Sequence, residues 1–146
     1  MIKLYLDNCC YSRPFDDIAQ EKIRLEVQAI NQIFEMYVNG KVTIYRSRAI
    51  DYEISNIANA NKRRQVEDLY DALELENIQY RKDIDKRVEK LEEYHIHYMD
   101  AYHIAYAESK EIDYFITVDK QLINASKKVK LKMRVINPIE FILEVK

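Results

Sequence analysis

The chain has 146 residues, a length typical of one domain with a sizeable core, and we expect a single domain over residues 1–146. The composition is 48% hydrophobic and 33% charged with one glycine and two prolines, which excludes collagen-like, linker-rich and disordered chains. The 23 basic and 25 acidic side chains leave a formal charge of −2, so any contact with nucleic acid must come from a local basic patch.

The amino-terminal segment and the cysteines indicate the cellular compartment. No apolar run approaches the roughly 20 residues that a membrane-spanning helix needs, and residues 1–7 lack the pattern of a signal peptide. Cys9 and Cys10 are adjacent, so they cannot join distant segments, and we interpret them as structural thiols. We therefore expect a cytoplasmic protein that has no membrane partner.

Hydrophobic periodicity predicts alternating strands and helices. Apolar residues that alternate or run together predict strands, and apolar residues spaced by three or four predict helices. In chain order the predicted elements are a strand at 2–6, a loop and helix start at 12–17, a helix at 23–38, a strand at 41–45, a helix from Ser47 to Ile57, helices at 66–73, 84–91 and 99–110, strands at 114–118 and 133–136, and a short helix at 139–143. This alternation predicts an α/β fold with a parallel sheet, in which ligands bind outside the carboxyl ends of the strands.

Two carboxylates lie on faces of predicted helices where a charge is unusual. Glu53 lies at the edge of the apolar stripe of its helix, and Asp100 shares a face with Ile104 and Ala107. An isolated ionised carboxylate is costly to bury, so such a group is paired, protonated or bound to a cation. No lysine or arginine lies obviously in the same stripes.

Two more carboxylates, Asp7 and Asp119, follow predicted strands. Each of the four has an ordinary interpretation, because an aspartate can end a strand, cap a helix or favour a helix dipole, and Glu53 can lie at the rim. Their conjunction is harder to explain in this way, since a parallel sheet brings both strand ends to one edge. Oxygen ligands without histidine or cysteine suit Mg²⁺ or Mn²⁺.

Short motifs over essentially the whole chain carry a resemblance to a known family. The motifs are Leu4-Tyr5-Leu6-Asp7-Asn8, Tyr52-Glu53-Ile54, Asp100-Ala101-Tyr102-His103-Ile104-Ala105, Ile116-Thr117-Val118-Asp119-Lys120 and Asn137-Pro138-Ile139-Glu140-Phe141. In this order and spacing they resemble the PIN-domain nucleases, which include the ribonuclease toxins of bacterial and archaeal toxin–antitoxin pairs, the VapC-like proteins.

The resemblance implies a fold, a cofactor and an activity. It implies a three-layer α/β/α PIN-like fold with a mainly parallel central sheet, and an endoribonuclease that uses Mg²⁺ or Mn²⁺ to hydrolyse RNA. An antitoxin protein is the implied partner, and we also expect a homodimer. Asn8-Cys9-Cys10 departs from the family pattern, in which a small or hydroxylated residue often follows the first aspartate, and Ser12 is an alternative source of a hydroxyl. The implied catalytic and metal-binding residues are Asp7, Glu53, Asp100 and Asp119, with Thr117 in a supporting role.

Other functions fit the residues of this chain less well. A phosphotransferase of the haloacid-dehalogenase type would need a second acid where Cys9 stands, and the sole glycine excludes a glycine-rich phosphate loop. Two alternatives stay open within the family resemblance: a PIN-like module that binds RNA or protein without cleaving it, and a housekeeping RNA-processing nuclease. A metal-dependent cleavage assay separates the non-cleaving module from the nuclease.

Histidines and tyrosines surround Asp100 in the sequence. His95, His97 and His103 lack the HExxH spacing, so packing or RNA contact is favoured over metal ligation. Tyrosines recur every fourth residue, and they form one helical stripe only if the helix begins before Met99. Packing of these tyrosines in the core or in a dimer is favoured over base stacking. These tyrosines are Tyr94, Tyr98, Tyr102 and Tyr106.

One arginine and two basic segments, at residues 62–64 and 127–132, are candidates for RNA contact, with a solvated surface as the alternative. The second segment follows Asp119 closely, so we expect it near the metal site unless a turn carries it to the opposite face. Arg13 is expected either to contact a phosphate or to pair with Asp16 or Asp17. The candidates are Arg13, Lys62, Arg63, Arg64, Lys127, Lys128, Lys130 and Lys132.

Overall fold

The computed structural model describes residues 1–145, in which strands and helices alternate. In chain order the elements are β1 (Ile2–Leu6), α1 (Asn8–Ser12), a 3-10 helix (Arg13–Phe15), α2 (Glu21–Val38), β2 (Val42–Arg46), α3 (Arg48–Ser55), α4 (Ala60–Ala72), β3 (Glu76–Asn77), α5 (Lys82–Glu92), α6 (Tyr98–Ser109), β4 (Tyr114–Ile116), α7 (Lys120–Ser126), β5 (Arg134–Ile136) and α8 (Pro138–Val145).

The five strands form one parallel sheet in the order β3-β2-β1-β4-β5. Helices flank this sheet, so the predicted α/β/α fold with a parallel central sheet is confirmed. Because every strand runs in the same direction, the residues that follow β1, β2 and β4 all lie at the carboxyl end of the sheet. The backbone N–H of Asp7 donates to the carbonyl of Ile116 at 2.9 Å, which ties the end of β1 to the end of β4.

The elements differ from the predicted ones at short or polar segments. The strand β3 was not predicted, because Glu76 and Asn77 are both exposed and carry no hydrophobic signal. The five-residue helix α1 was also missed, and its amino terminus is capped by the Asp7 side chain. The strand predicted at 114–118 ends at Ile116, so two residues separate it from Asp119.

Apolar residues of the central strands and of the surrounding helices form the core. Leu4, Tyr5 and Leu6 of β1 have no exposed surface, and Tyr5 stacks on Phe115 of β4 with ring centroids 5.3 Å apart. Burial of each such side chain contributes about 1.5–3 kcal/mol to stability before entropic costs are counted. Within residues 1–145, no helix combines the length and the apolar character needed to span a bilayer.

Candidate active site

Asp7 lies at the carboxyl end of β1 and is almost fully buried. Its Oδ1 atom accepts a hydrogen bond from the backbone N–H of Asn8 at 2.8 Å, and its Oδ2 atom accepts one from the hydroxyl of Thr117 at 2.8 Å. Burial raises the pKa of Asp7, and the charge of Glu53 adds to this effect, whereas His103 and the two hydrogen bonds oppose it. The carboxylate is therefore fixed in orientation, and its ionisation is penalised.

Thr117 links the first and last of the predicted carboxylates. Its buried hydroxyl donates to Asp7 and accepts the backbone N–H of Asp119 at 3.1 Å. Cys9 lies beside it, with Sγ 3.7 Å from the Thr117 hydroxyl oxygen. The hydroxyl of Ser12 instead donates to the carbonyl of Cys9 at 3.3 Å, so Ser12 does not hold Asp7.

Glu53 reaches the site from α3 and meets His103 of α6. Its Oε1 atom is in hydrogen-bond contact with the Nε2 atom of His103, and that nitrogen lies 3.9 Å from Oδ1 of Asp7. One ligand atom from each of these three residues lies within 4.8 Å of the other two, so the three side chains can hold a metal ion together. Burial lowers the pKa of His103. The Glu53 hydrogen bond and the charges of Asp7, Glu53 and Asp100 outweigh this effect, so the pKa of His103 is raised.

Asp100 and Asp119 lie outside this three-residue group but remain electrostatically close to it. Asp100 is half-buried in the first turn of α6, and its pKa is raised to about 6, chiefly by burial and then by the charge of Asp7, with Asp119 and Glu53 adding to the effect. Asp119 is exposed and caps α7, because its Oδ1 atom accepts the N–H groups of Gln121 at 2.9 Å and Leu122 at 3.2 Å. The four predicted carboxylates therefore lie near one another at one end of the sheet, and Asp7 and Glu53 share His103 as a neighbour.

The site carries excess negative charge. Among residues 1–145, no lysine or arginine nitrogen lies within 4.0 Å of a carboxylate oxygen of Asp7, Glu53, Asp100 or Asp119. His103 is the side chain that pairs with Asp7 and Glu53 in the described part of the chain. Such a set of oxygen and imidazole donors fits a divalent cation, which would relieve the repulsion among the carboxylates.

His103 is the site residue that the sequence reasoning did not select. The absence of an HExxH pattern argued against a ligand role, yet His103 lies three residues after Asp100 and therefore projects from nearly the same side of α6. That spacing was the available signal. It was not decisive, because the hydrogen bonds that orient the imidazole come from distant parts of the chain.

Arg13 and two residues of the first basic segment, Lys62 and Arg63, make contacts within the protein. Arg13 pairs with Asp16 at 3.1 Å and lies 3.5 Å from buried Glu26, and the ammonium group of Lys62 contacts Asp16 at 2.5 Å. The Arg13 to Asp16 pair is one of the two outcomes expected from the sequence. Arg63 donates to the carbonyl of Ile57 at 2.9 Å, while Arg64 is exposed.

Lys130 and Lys132 of the second basic segment lie away from the carboxylates, which is the second of the two placements expected from the sequence. Asp119 caps the amino terminus of α7, and the seven residues of this helix carry the chain about 10 Å toward the amino end of the sheet. Lys130 and Lys132 line a cavity there together with acidic residues. The acidic residues of this cavity are Glu108, Glu111 and Asp113. RNA contact by the lysines of the second basic segment stays a prediction, and these are Lys127, Lys128, Lys130 and Lys132.

Comparison with known families identifies the class of protein. The family model of the PIN domain matches residues 13–128, which is most of the chain and includes Glu53, Asp100 and Asp119. The chain therefore belongs to the PIN domain family, whose members are generally nucleases, and the resemblance seen in the sequence motifs is confirmed. Asp7 precedes the matched segment and is assigned to the site by its position in the structure. Among curated proteins, no relative matches the chain.

Solved structures show the same fold at low sequence identity. One is the crystal structure of FitAcB from Neisseria gonorrhoeae, with 17% identity, a TM-score of 0.57, and coverage of 92% of this chain and 97% of that chain. Another is the crystal structure of PAE2754 from Pyrobaculum aerophilum, with 14% identity, a TM-score of 0.57, and coverage of 98% of this chain and 95% of that chain. These similarities extend the fold assignment over nearly the whole length of the chain.

Replacement of Asp100 by Asn should stabilise the metal-free protein at neutral pH. The pKa of Asp100 is about 6 in the folded state and near 3.8 when unperturbed, so its ionisation weakens folding as the pH rises through this range. We expect a gain of about 1 kcal/mol at pH 7, less than the full shift would give because solvent screens a half-buried group, and no gain below about pH 4.

The measurement is the melting temperature in a chelator from pH 4 to pH 8, with Asp68→Asn on an exposed face of α4 as the control. The same rationale predicts that Asp7→Asn without metal melts no lower than the parent. A marked fall in the melting temperature of Asp100→Asn at neutral pH would instead assign this carboxylate a structural role.

The hydroxyl of Thr117 should matter more than its methyl group. In Thr117→Val both the Asp7 oxygen and the Asp119 N–H lose their partner, so we expect a loss of about 1–3 kcal/mol in the free energy of unfolding. Thr117→Ser keeps the hydroxyl and should lose clearly less. Urea unfolding of the two variants provides the comparison, and an equal loss in both would assign the effect to packing of the methyl group.

Proposed function

We propose that this chain is a divalent-metal-dependent endoribonuclease that hydrolyses RNA phosphodiester bonds and acts as the toxin of a toxin–antitoxin pair. Mg²⁺ or Mn²⁺ is the proposed cofactor, and an antitoxin protein and a second copy of the chain are the proposed partners. The observation that carries the nuclease proposal is the convergence of four carboxylates at the carboxyl end of a parallel sheet, with no lysine or arginine of residues 1–145 paired to them. The toxin role is supported by the sequence motifs that resemble ribonuclease toxins.

Four residues are proposed to hold the cation through their carboxylates: Asp7, Glu53, Asp100 and Asp119. A divalent cation bound there would offset negative charge on the scissile phosphate and make a nearby water molecule more acidic. The chain itself supplies orientation. Thr117 fixes Asp7, His103 contacts Glu53, and the first turn of α7 fixes Asp119. Fixed ligands lower the reorganisation needed when the phosphate binds.

Asp100 contributes negative charge to the site. In the metal-free protein, burial and then the charge of Asp7 raise its pKa to about 6. A bound cation would favour the ionised form of this carboxylate. Its place in the first turn of α6 keeps it beside Asp7 and Glu53.

The cleavage assay uses Asp7→Asn and Asp100→Asn on single-stranded RNA with Mg²⁺ or Mn²⁺. Each variant loses a negative ligand while it keeps its shape, so we expect cleavage to fall by at least about 100-fold with unchanged circular dichroism. Asp68→Asn should cleave like the parent. Full activity of Asp100→Asn would refute the site assignment, whereas metal-independent binding of RNA without cleavage by the parent would favour the non-cleaving module.

A salt titration tests the four lysines of the second basic segment, which follows α7. Changing all four to Gln should weaken RNA binding and reduce the slope of log Kd against log salt, because fewer counterions are released. Cleavage at saturating RNA should persist, since α7 separates these lysines from the carboxylates. The variant carries changes at Lys127, Lys128, Lys130 and Lys132.

The matched control changes four other exposed lysines to Gln, at positions Lys22, Lys82, Lys86 and Lys90. Both variants lose the same total charge, so only the location of the charge differs. A slope that equals the parent's in the first variant, or that falls equally in both, would show that the lysines around α7 are a solvated surface.

A further inference from the structure

We propose that the Nε2 atom of His103 is a direct metal ligand beside Asp7 and Glu53, and that the site therefore favours Mn²⁺ over Mg²⁺. This inference rests on the proposed function, because it concerns the cation that the nuclease would use. It adds one imidazole nitrogen to the carboxylate oxygens of the proposed site. The alternative is that His103 only pairs with Glu53 while carboxylates provide all the ligands.

The position of the imidazole supports a ligand role. His103 has no exposed surface, and its Nε2 atom points between Glu53, which it contacts, and Asp7 Oδ1 at 3.9 Å. Ligands of one cation at the usual 2.0–2.2 Å lie about 3–4 Å apart. The 3.9 Å between Nε2 and Asp7 Oδ1 is in this range, and one donor atom of each of the three residues lies within 4.8 Å of the other two. Small shifts of Glu53, which is partly exposed, would open a place for the ion.

The second ring nitrogen is held by a buried hydroxyl. His103 Nδ1 lies 2.8 Å from the Tyr5 hydroxyl, which lies 2.6 Å from the Ser47 hydroxyl, and Ser47 accepts the backbone N–H of Ile50 at 3.4 Å. Metal-binding histidines characteristically donate their other ring N–H to a fixed acceptor. With Nδ1–H donating to Tyr5 and Tyr5 donating to Ser47, loss of the Nε2 proton leaves a lone pair that faces the two carboxylates.

The chemistry of the donors then favours one class of cation. A lone pair that faces two carboxylates needs a proton or a metal ion between them. Mg²⁺ prefers oxygen ligands and gives up water reluctantly, whereas first-row transition ions accept imidazole nitrogen readily. Mn²⁺ combines tolerance of carboxylates with acceptance of a nitrogen ligand, so it is the ion that this mixed set favours.

The test is pulsed electron paramagnetic resonance of Mn²⁺ bound to the full chain, which detects the hyperfine coupling of a directly ligated nitrogen. The chain contains three histidines, at positions 95, 97 and 103. His95 and His97 are exposed, and His97 accepts the N–H of Met99 as the cap of α6, so the double variant His95→Gln with His97→Asn keeps a capping side chain. His103 is then the sole histidine and remains unmutated.

We expect nitrogen coupling in the parent and in this double variant, with the characteristic change when the histidine is labelled with ¹⁵N. His103→Gln should lose the coupling and bind Mn²⁺ about 10–100-fold more weakly, with a smaller change for Mg²⁺. Tyr5→Phe should keep the coupling but weaken Mn²⁺ binding, because the ring loses its fixed partner.

Two results would overturn the inference, and they are distinguishable. Mn²⁺ that binds without nitrogen coupling, in a protein that still cleaves RNA, would assign all the ligands to carboxylates and leave the proposed nuclease intact. A parent chain that neither binds Mn²⁺ nor cleaves RNA would refute both proposals. If His103→Gln does not fold, the double variant and the ¹⁵N label still decide whether the nitrogen is a ligand.

Discussion

The burial of Asp7 is the constraint on which the arrangement of the site depends. A carboxylate with almost no exposed surface needs compensating donors, and those of Asp7 come from three separate segments: the N–H of Asn8, the hydroxyl of Thr117 and, at longer range, His103. The parallel pairing of β1 with β4 brings the first two together, and α6 supplies the third. The site is thus a product of the sheet topology rather than of any local motif.

The crowded, buried carboxylates that suit metal binding also destabilise the metal-free protein. Burial and the mutual repulsion of carboxylates raise the pKa of Asp7 and Asp100, which weakens the metal-free fold at neutral pH. A bound cation would offset this cost, since a ligand at 100 times its Kd stabilises the folded state by about 2.7 kcal/mol. Tyr5 and Ser47 extend the polar network into the core, and burial raises the pKa of Tyr5, so its hydroxyl keeps its proton.

Sequence reasoning predicted the elements that carry a strong hydrophobic period and the carboxylates that interrupt one. The stripe of α2 and the alternation of β1 are properties of neighbouring residues, so they are readable locally. The strand β3 could not be predicted, because it exists only through backbone pairing with β2. The place of His103 was equally hidden, since its orientation depends on a hydroxyl from β1 that is 98 positions away in the chain.

The tyrosines of α6 show how one helix can serve the core and the site together. Since α6 begins at Tyr98, Tyr102 lies one turn further on, with its ring 5.0 Å from that of Tyr98 and its hydroxyl donating to Asp85 of α5 at 2.6 Å. Arg87 of α5 also pairs with Glu108 of α6 at 2.7 Å. These contacts with α5 fix the rotation of α6 about its axis. A shift by one residue would turn the helix by about 100° and carry His103 away from Tyr5, so the packing of the tyrosine side determines where the imidazole points.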